Sequence, residues 1–219
     1  MATIVPHSRP GLRERKKLRT RQTILEVVTR LFSEQGFAET TVIQITDEAE
    51  VAASTFFKYF PAKVDIVFSP LDAAIESARQ RILDRPADEE AIDAVLSWIR
   101  EDIGEVEAPY AHALRDIPRI IESDDALKAE ERLRLAIFED VLAAAFARDL
   151  GEPADGIRPR VMAVIAIGGL VGVWKSWWQR HSSDDDLDLE ALVAVKAEYL
   201  DRALHTGLAV IAALPAHAL

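Results

Sequence analysis

A hydroxyl pair, a cation and aromatic rings fall within one short run, Ala53-Ser54-Thr55-Phe56-Phe57-Lys58-Tyr59-Phe60, closed by Pro61. Ala52 precedes it and Lys63 follows it. Hydroxyls and ammonium groups bond phosphate oxygens, aromatic and methyl groups touch base edges, and small residues allow close approach. The chemistry on offer is recognition. Turnover has no comparable set: there is no G-x-S-x-G, no H-E-x-x-H, no Glu-x-x-His pair and no phosphate loop. The chain has no cysteine, so disulfides and thiolate metal sites are excluded. His205 lies four residues after Asp201, a spacing that suits a metal, but no second carboxylate–histidine pair accompanies it. A surface or capping histidine is the plainer reading. No catalytic residue, cofactor or metal is expected.

Two short helices must position this run. Thr40 or Thr41 offers a hydroxyl N-cap, and Ile45 and Ala49 repeat at i,i+4 on one face. Glu50-Val51-Ala52 interrupts that face. The second helix turns Phe56 and Phe60 inward, again i,i+4, and Pro61 stops it. Ala53, Ser54, Thr55, Phe57, Lys58 and Tyr59 are left facing outward. This is a helix-turn-helix with its second helix as the reader; on periodicity alone, two short helices capping a core fit as well. A helix from Thr20 to Gln35 braces them, with Ile24, Val28, Leu31 and Phe32 as its apolar stripe and Gly36 at its end. Before it, Arg13, Arg15, Lys16, Lys17, Arg19 and Arg21 suit phosphates or a minor groove; a solubilising tail is the alternative.

The string Val51-Ala52-Ala53-Ser54-Thr55-Phe56-Phe57-Lys58-Tyr59-Phe60-Pro61-Ala62-Lys63 resembles the signature of the tetracycline-repressor (TetR) family of transcriptional regulators. It is closest to the subgroup written T-F-F-[RK]-Y-F-P-x-K. Gly36-Phe37 and Thr40-Thr41-Val42 stand at the family's usual spacing, and the resemblance runs from about Arg21 to Lys63. It implies a homodimer on a double-stranded DNA operator, released by a small-molecule effector. It also implies that Thr41 caps a helix against phosphate, that Thr55, Lys58 and Tyr59 face backbone or bases, and that Lys63 clamps a phosphate. Five positions depart from the pattern. Phe57 replaces a frequent Tyr, Ile43 a frequent Arg, Ala52 and Ala53 longer polar side chains, and Glu50 a frequent turn glycine. If Glu50 needs a positive φ, the turn stores on the order of 1 kcal/mol.

The chain has 219 residues, 49% of them hydrophobic, and a net charge of −11. Its charge is unevenly placed. Residues 1–68 hold ten Lys/Arg against eight Asp/Glu, leaving 16 against 29 for the rest. A mildly basic head on an acidic body orients the head toward DNA. Composition favours an all-α chain. The longest apolar run, Val161 to Trp174, is short for a bilayer span, and no signal segment is evident, so a cytoplasmic protein without a membrane partner is expected.

Beyond the head, a helix from Lys63 to about Leu83 contains Pro70, where a break, a kink or a new first turn is expected. Further helices are expected over 88–103, 109–121, 124–150, 156–181 and 188–212. The 156–181 helix is apolar around most of its circumference and holds Gly168, Gly169 and Gly172. With the last helix it suits a four-helix dimer interface, which the resemblance also implies; a core helix of a monomer is the simpler alternative. Trp98, Tyr110, Phe138, Trp174 and Trp178 are candidates to line an apolar ligand cavity, with core packing as the competing explanation for each.

The sequence thus predicts a three-helix DNA-binding head, residues 1–68, on a helical body, 69–219, that dimerises and holds the effector. DNA-contact candidates are Arg19, Arg21, Thr41, Ala53, Ser54, Thr55, Phe57, Lys58, Tyr59 and Lys63. The competing class is a small-molecule-binding helical protein whose head is a protein-interaction module; binding to its own upstream DNA separates the two.

Overall fold

The computed structural model describes residues 12–101 and 117–181, with scattered positions beyond 193. Eight helices are found among them: α1 (Leu12–Gln35), α2 (Val42–Glu48), α3 (Ala53–Tyr59), α4 (Lys63–Leu83), α5 (Ala91–Glu101), α6 (Ile117–Glu122), α7 (Asp125–Leu150) and α8 (Ile157–His181). The fold is all-α. The expected final helix lies outside the described residues apart from those scattered positions, and so does most of the 109–121 stretch.

Two apolar clusters organise the chain. The first gathers Ile24, Val28, Leu31 and Phe32 of α1 with Ile45, Phe56 and Phe60, all at most 4% exposed. Ile66, Val67 and Phe68 from the start of α4 complete it, together with Ile117, Ile120, Ile121, Leu127 and Trp177. The second runs from Ala74, Ile75, Ala78 and Ile82 of α4 through Ile92, Val95, Leu96 and Ile99 of α5 to Phe138, Leu142 and Phe146 of α7. Met162, Ala163, Ala166 and Ile167 of α8 close it. Three helices, α4, α7 and α8, therefore serve both clusters, and Leu71 packs against each.

Two sequence expectations change. The first helix begins at Leu12 rather than Thr20, so the basic run is helical. α4 is a single helix through Pro70, with no break. Proline has no N–H for the Ile66 carbonyl four residues back. The Ser69 hydroxyl donates to that carbonyl instead, at 3.2 Å, and both residues are buried. Leu133 and Ile137 of α7 are 62% and 48% exposed.

The ends of the helices follow their residues. α1 stops at Gly36 (φ 88°) and α7 at Gly151 (φ 64°), as expected of glycine just past a helix. Phe37 packs back on Phe32, ring centres 5.2 Å apart. α2 opens with a capping box: Thr41 Oγ1 accepts from the Gln44 amide at 3.2 Å, and Gln44 Oε1 accepts from the Thr41 amide at 2.8 Å. α2 ends with Glu50 at φ 52°, the only non-glycine residue with positive φ among those described. The Val51 amide donates to Thr46 O and the Glu50 amide to Asp47 O, the paired bonds of a Schellman end.

The body is locked by buried arginines that sequence reasoning passed over. Arg85 has a fully buried side chain and donates to the carbonyls of Ile82, Glu89 and Ala145, and pairs with Asp149. Asp149 in turn accepts from the Ala91 amide at the start of α5. Arg134 of α7 bonds Asp72 at 2.9 Å and Asp65 at 3.1 Å, pairs with Glu130, and lies over the Phe68 ring.

Candidate DNA-binding surface and effector cavity

The reader is held from below. Phe56 and Phe60 are 0% and 1% exposed and touch at a ring separation of 5.9 Å. Burying two such rings contributes roughly 1.5–3 kcal/mol each, enough to fix the roll of a seven-residue helix. That roll leaves Ala53, Ser54, Phe57 and Lys58 exposed, with Thr55 and Tyr59 at the margins. These are the six outward positions the sequence pattern named. Phe57 is 50% exposed, and its ring meets Phe56 edge-on at 5.2 Å. Ile43, in the first turn of α2, is 71% exposed. The head thus carries a solvent-facing isoleucine on α2 and a solvent-facing phenylalanine on the reader. The sequence marked Ile43 only as a departure from the family pattern; its place in the capped first turn of α2, outside the Ile45/Ala49 stripe, was the signal to include it.

The remaining candidates differ in how engaged they already are. Arg19 is exposed on α1, while the Arg21 guanidinium lies 5.4 Å from the Phe60 ring centre. Thr41 is exposed, with its hydroxyl used in the cap of α2. Lys63 departs most from expectation. Its ammonium donates to Phe37 O at 2.6 Å and Thr40 O at 2.8 Å, and sits 4.1 Å from the Phe37 ring centre. Burial lowers its pKa, countered in part by Asp124 and Glu39. Three N–H donors directed at loop carbonyls fasten the α1–α2 loop to the start of α4. Lys63 thus has a holding role that its position beside the reader did not disclose.

Below the head lies an apolar cavity of about 110 Å³, bounded by α4, α5, α6, α7 and α8. Trp98, Phe138 and Trp174 line it, three of the five aromatic candidates. Trp98 and Phe138 meet edge-on at 5.6 Å, and Trp98 Nε1 donates to Ser77 Oγ at 3.2 Å. Tyr110 and the side chain of Trp178 lie outside the described residues. Trp177 turns away into the head cluster. Glu131 also lines the cavity, which the sequence reading missed. The signal was available: Leu127, Glu131, Arg134 and Phe138 fall on one stripe of α7, so two charged residues occupy inward positions.

A helix-turn-helix head with a small-residue reader face, joined by a shared helix to a body with an apolar cavity, is the build of a DNA-binding transcriptional regulator. Residues 24–69 match "Bacterial regulatory proteins, tetR family", and residues 89–205 match "MftR C-terminal domain". The chain is 34% identical over 202 residues to the HTH-type transcriptional regulator TcmR of Streptomyces glaucescens, covering 88% of this chain and 86% of that one. The chain belongs to the TetR family. It is also 25% identical over 179 residues to the HTH-type transcriptional repressor KstR of Rhodococcus jostii, covering 76% of each. Among solved structures it resembles NalD, the secondary repressor of the MexAB-OprM multidrug efflux pump in Pseudomonas aeruginosa. That match has a TM-score of 0.54 at 19% identity, covering 88% of this chain and 97% of that one. FadR of Bacillus subtilis, solved in complex with stearoyl-CoA, gives a TM-score of 0.54 at 20% identity, covering 82% of this chain and 95% of that one. These two likenesses concern the fold. The relatives named are transcriptional regulators, not enzymes.

Proposed function

We propose that this regulator is a cytoplasmic homodimeric repressor that leaves a palindromic operator when an apolar small molecule fills the body cavity. The observation that carries it is the outward face of α3: Ala53, Ser54, Phe57 and Lys58 stand exposed over a fully buried pair of phenylalanines. Residues 1–68 act as the DNA-binding unit and 69–219 as the effector and dimer unit. Ser54, Thr55, Lys58, Tyr59, Thr41 and Arg19 meet phosphates or base edges; Ala53 and Phe57 meet bases closely; Arg21 and Lys63 support the head from behind. With one long side chain capable of polar base readout at the exposed centre, shape and phosphate contacts carry much of the specificity.

Dimerisation is supported by α8. Ile157, Val161, Val164 and Ile165 are 55%, 36%, 53% and 39% exposed along one side, and Gly168 and Gly172 on that helix have open space where a Cβ would stand. α8 is also long and apolar enough to cross a membrane by length and composition. Its packing against α7 through Met162, Ala163, Ala166 and Ile167 favours a protein partner for the opposite side. Two such chains put their readers on half-sites about 34–36 Å apart. Ligand binding alters that spacing and lowers operator affinity in proportion to its preference for the released form.

The test is a mobility shift on the DNA upstream of the protein's own gene, with unrelated DNA of equal length as competitor. Retention of the upstream fragment in excess competitor is expected. Equal displacement by both DNAs, at any salt, rules the reading out.

A further inference from the structure

We infer that the cavity selects an apolar, ring-bearing ligand with one positively charged end, and that Glu131 anchors that end. This rests on reading the cavity as the effector site. Among the described lining residues Glu131 is the only charged one, and its side chain is 13% exposed. Every other lining side chain is hydrocarbon, proline or aromatic. A carboxylate has about four acceptor positions, and the structure shows one bond to it, from Lys175 Nζ at 3.2 Å.

The charges beyond it set the sign. Lys175 also bonds Glu122 Oε1 at 3.3 Å, so two carboxylates share one ammonium beside the cavity. Burial acts to lower the Lys175 pKa, but Glu131 and Glu122 together raise it above the ordinary lysine value. The ammonium therefore stays charged and engaged, rather than standing ready for an incoming anion. A ligand carboxylate would instead face Glu131, whose side chain is 13% exposed, where like charges repel more than they do in water. A ligand ammonium balances the set. Trp98, Phe138 and Trp174 line the same cavity, and aromatic rings attract a cation placed over their faces.

The experiment titrates the full chain by calorimetry with three probes of one size: naphthylmethylamine, naphthalenemethanol and naphthoate. The amine is expected to bind roughly tenfold or more tightly than the carboxylate, with the alcohol between them. Glu131→Gln is expected to reduce the amine-to-carboxylate ratio by about the same factor. Equal binding of all three, or the carboxylate ranking first, overturns the inference and leaves the effector reading standing. Failure of all three to bind overturns both. If Glu131→Gln does not fold, the ranking on the unaltered chain decides.

Discussion

Glu50 holds φ 52° at the turn between α2 and the reader, where an L side chain crowds the following carbonyl. Glu50→Gly is expected to raise the unfolding free energy by roughly 0.5–1 kcal/mol, and Glu50→Val to lower it, read from urea denaturation at fixed protein concentration. The sequence made this strain foreseeable, because a helix end demanding a left-handed residue held a glutamate. The two lysines of the head separate another pair of roles. Lys58→Ala is expected to reduce the salt dependence of DNA affinity by about one phosphate contact, with the melting temperature unchanged. Lys63→Ala is expected to lower the melting temperature, because Phe37 O and Thr40 O lose their donor. The reverse pattern would exchange their assignments. The exposed face of α3 was legible because Phe56 and Phe60 fix its roll by i,i+4 spacing alone. The Lys63 contacts were not, because its acceptors lie 23 and 26 residues away and only the fold brings them near.

At the scale of elements, α4 and α7 form the joint between reader and cavity. Asp65 accepts from the Ala62 amide at 2.8 Å, just after the reader, and Arg134 of α7 holds Asp65. Arg134 also lies over Phe68, which lines the cavity. In the proposed mechanism, a shift of α7 on ligand binding would reach the segment after α3 through two side chains. Asp72, the third α4–α7 contact of this set, reports on the joint by its titration. Burial raises its carboxyl pKa, and Arg134 offsets this only in part. With a raised pKa the folded chain holds the proton more firmly than the unfolded chain. Stability from this group is thus present at low pH and is lost as pH rises from the ordinary carboxylate range through the folded value. Asp72→Asn should accordingly be the more stable form at neutral pH, with the advantage vanishing near pH 3–4, the ordinary carboxylate range, in thermal melts across pH. A constant difference at all pH values would show that packing, not charge, sets the effect. Helix positions were largely readable from apolar spacing and from Gly36 and Gly151. The continuity of α4 was not, since it depends on the Ser69 hydroxyl replacing the bond that Pro70 removes.

For the whole molecule, the separation of a mildly basic head from an acidic body was readable from charge placement along the chain. What the body does to the head was not readable. The head cluster includes Ile117, Ile120, Leu127 and Trp177, residues far along the chain, so the head packs on the body and is not a bead on a linker. Rigid support of that kind lets a displacement in the body move both readers of a dimer at once. The proposed function requires two chains acting together on one duplex. Sedimentation of the protein with a fluorescent duplex from its own upstream region measures this directly. Two chains per bound palindrome, joining in one cooperative step, is the predicted result. A saturated complex with a single chain, or stepwise binding of independent monomers, would contradict it.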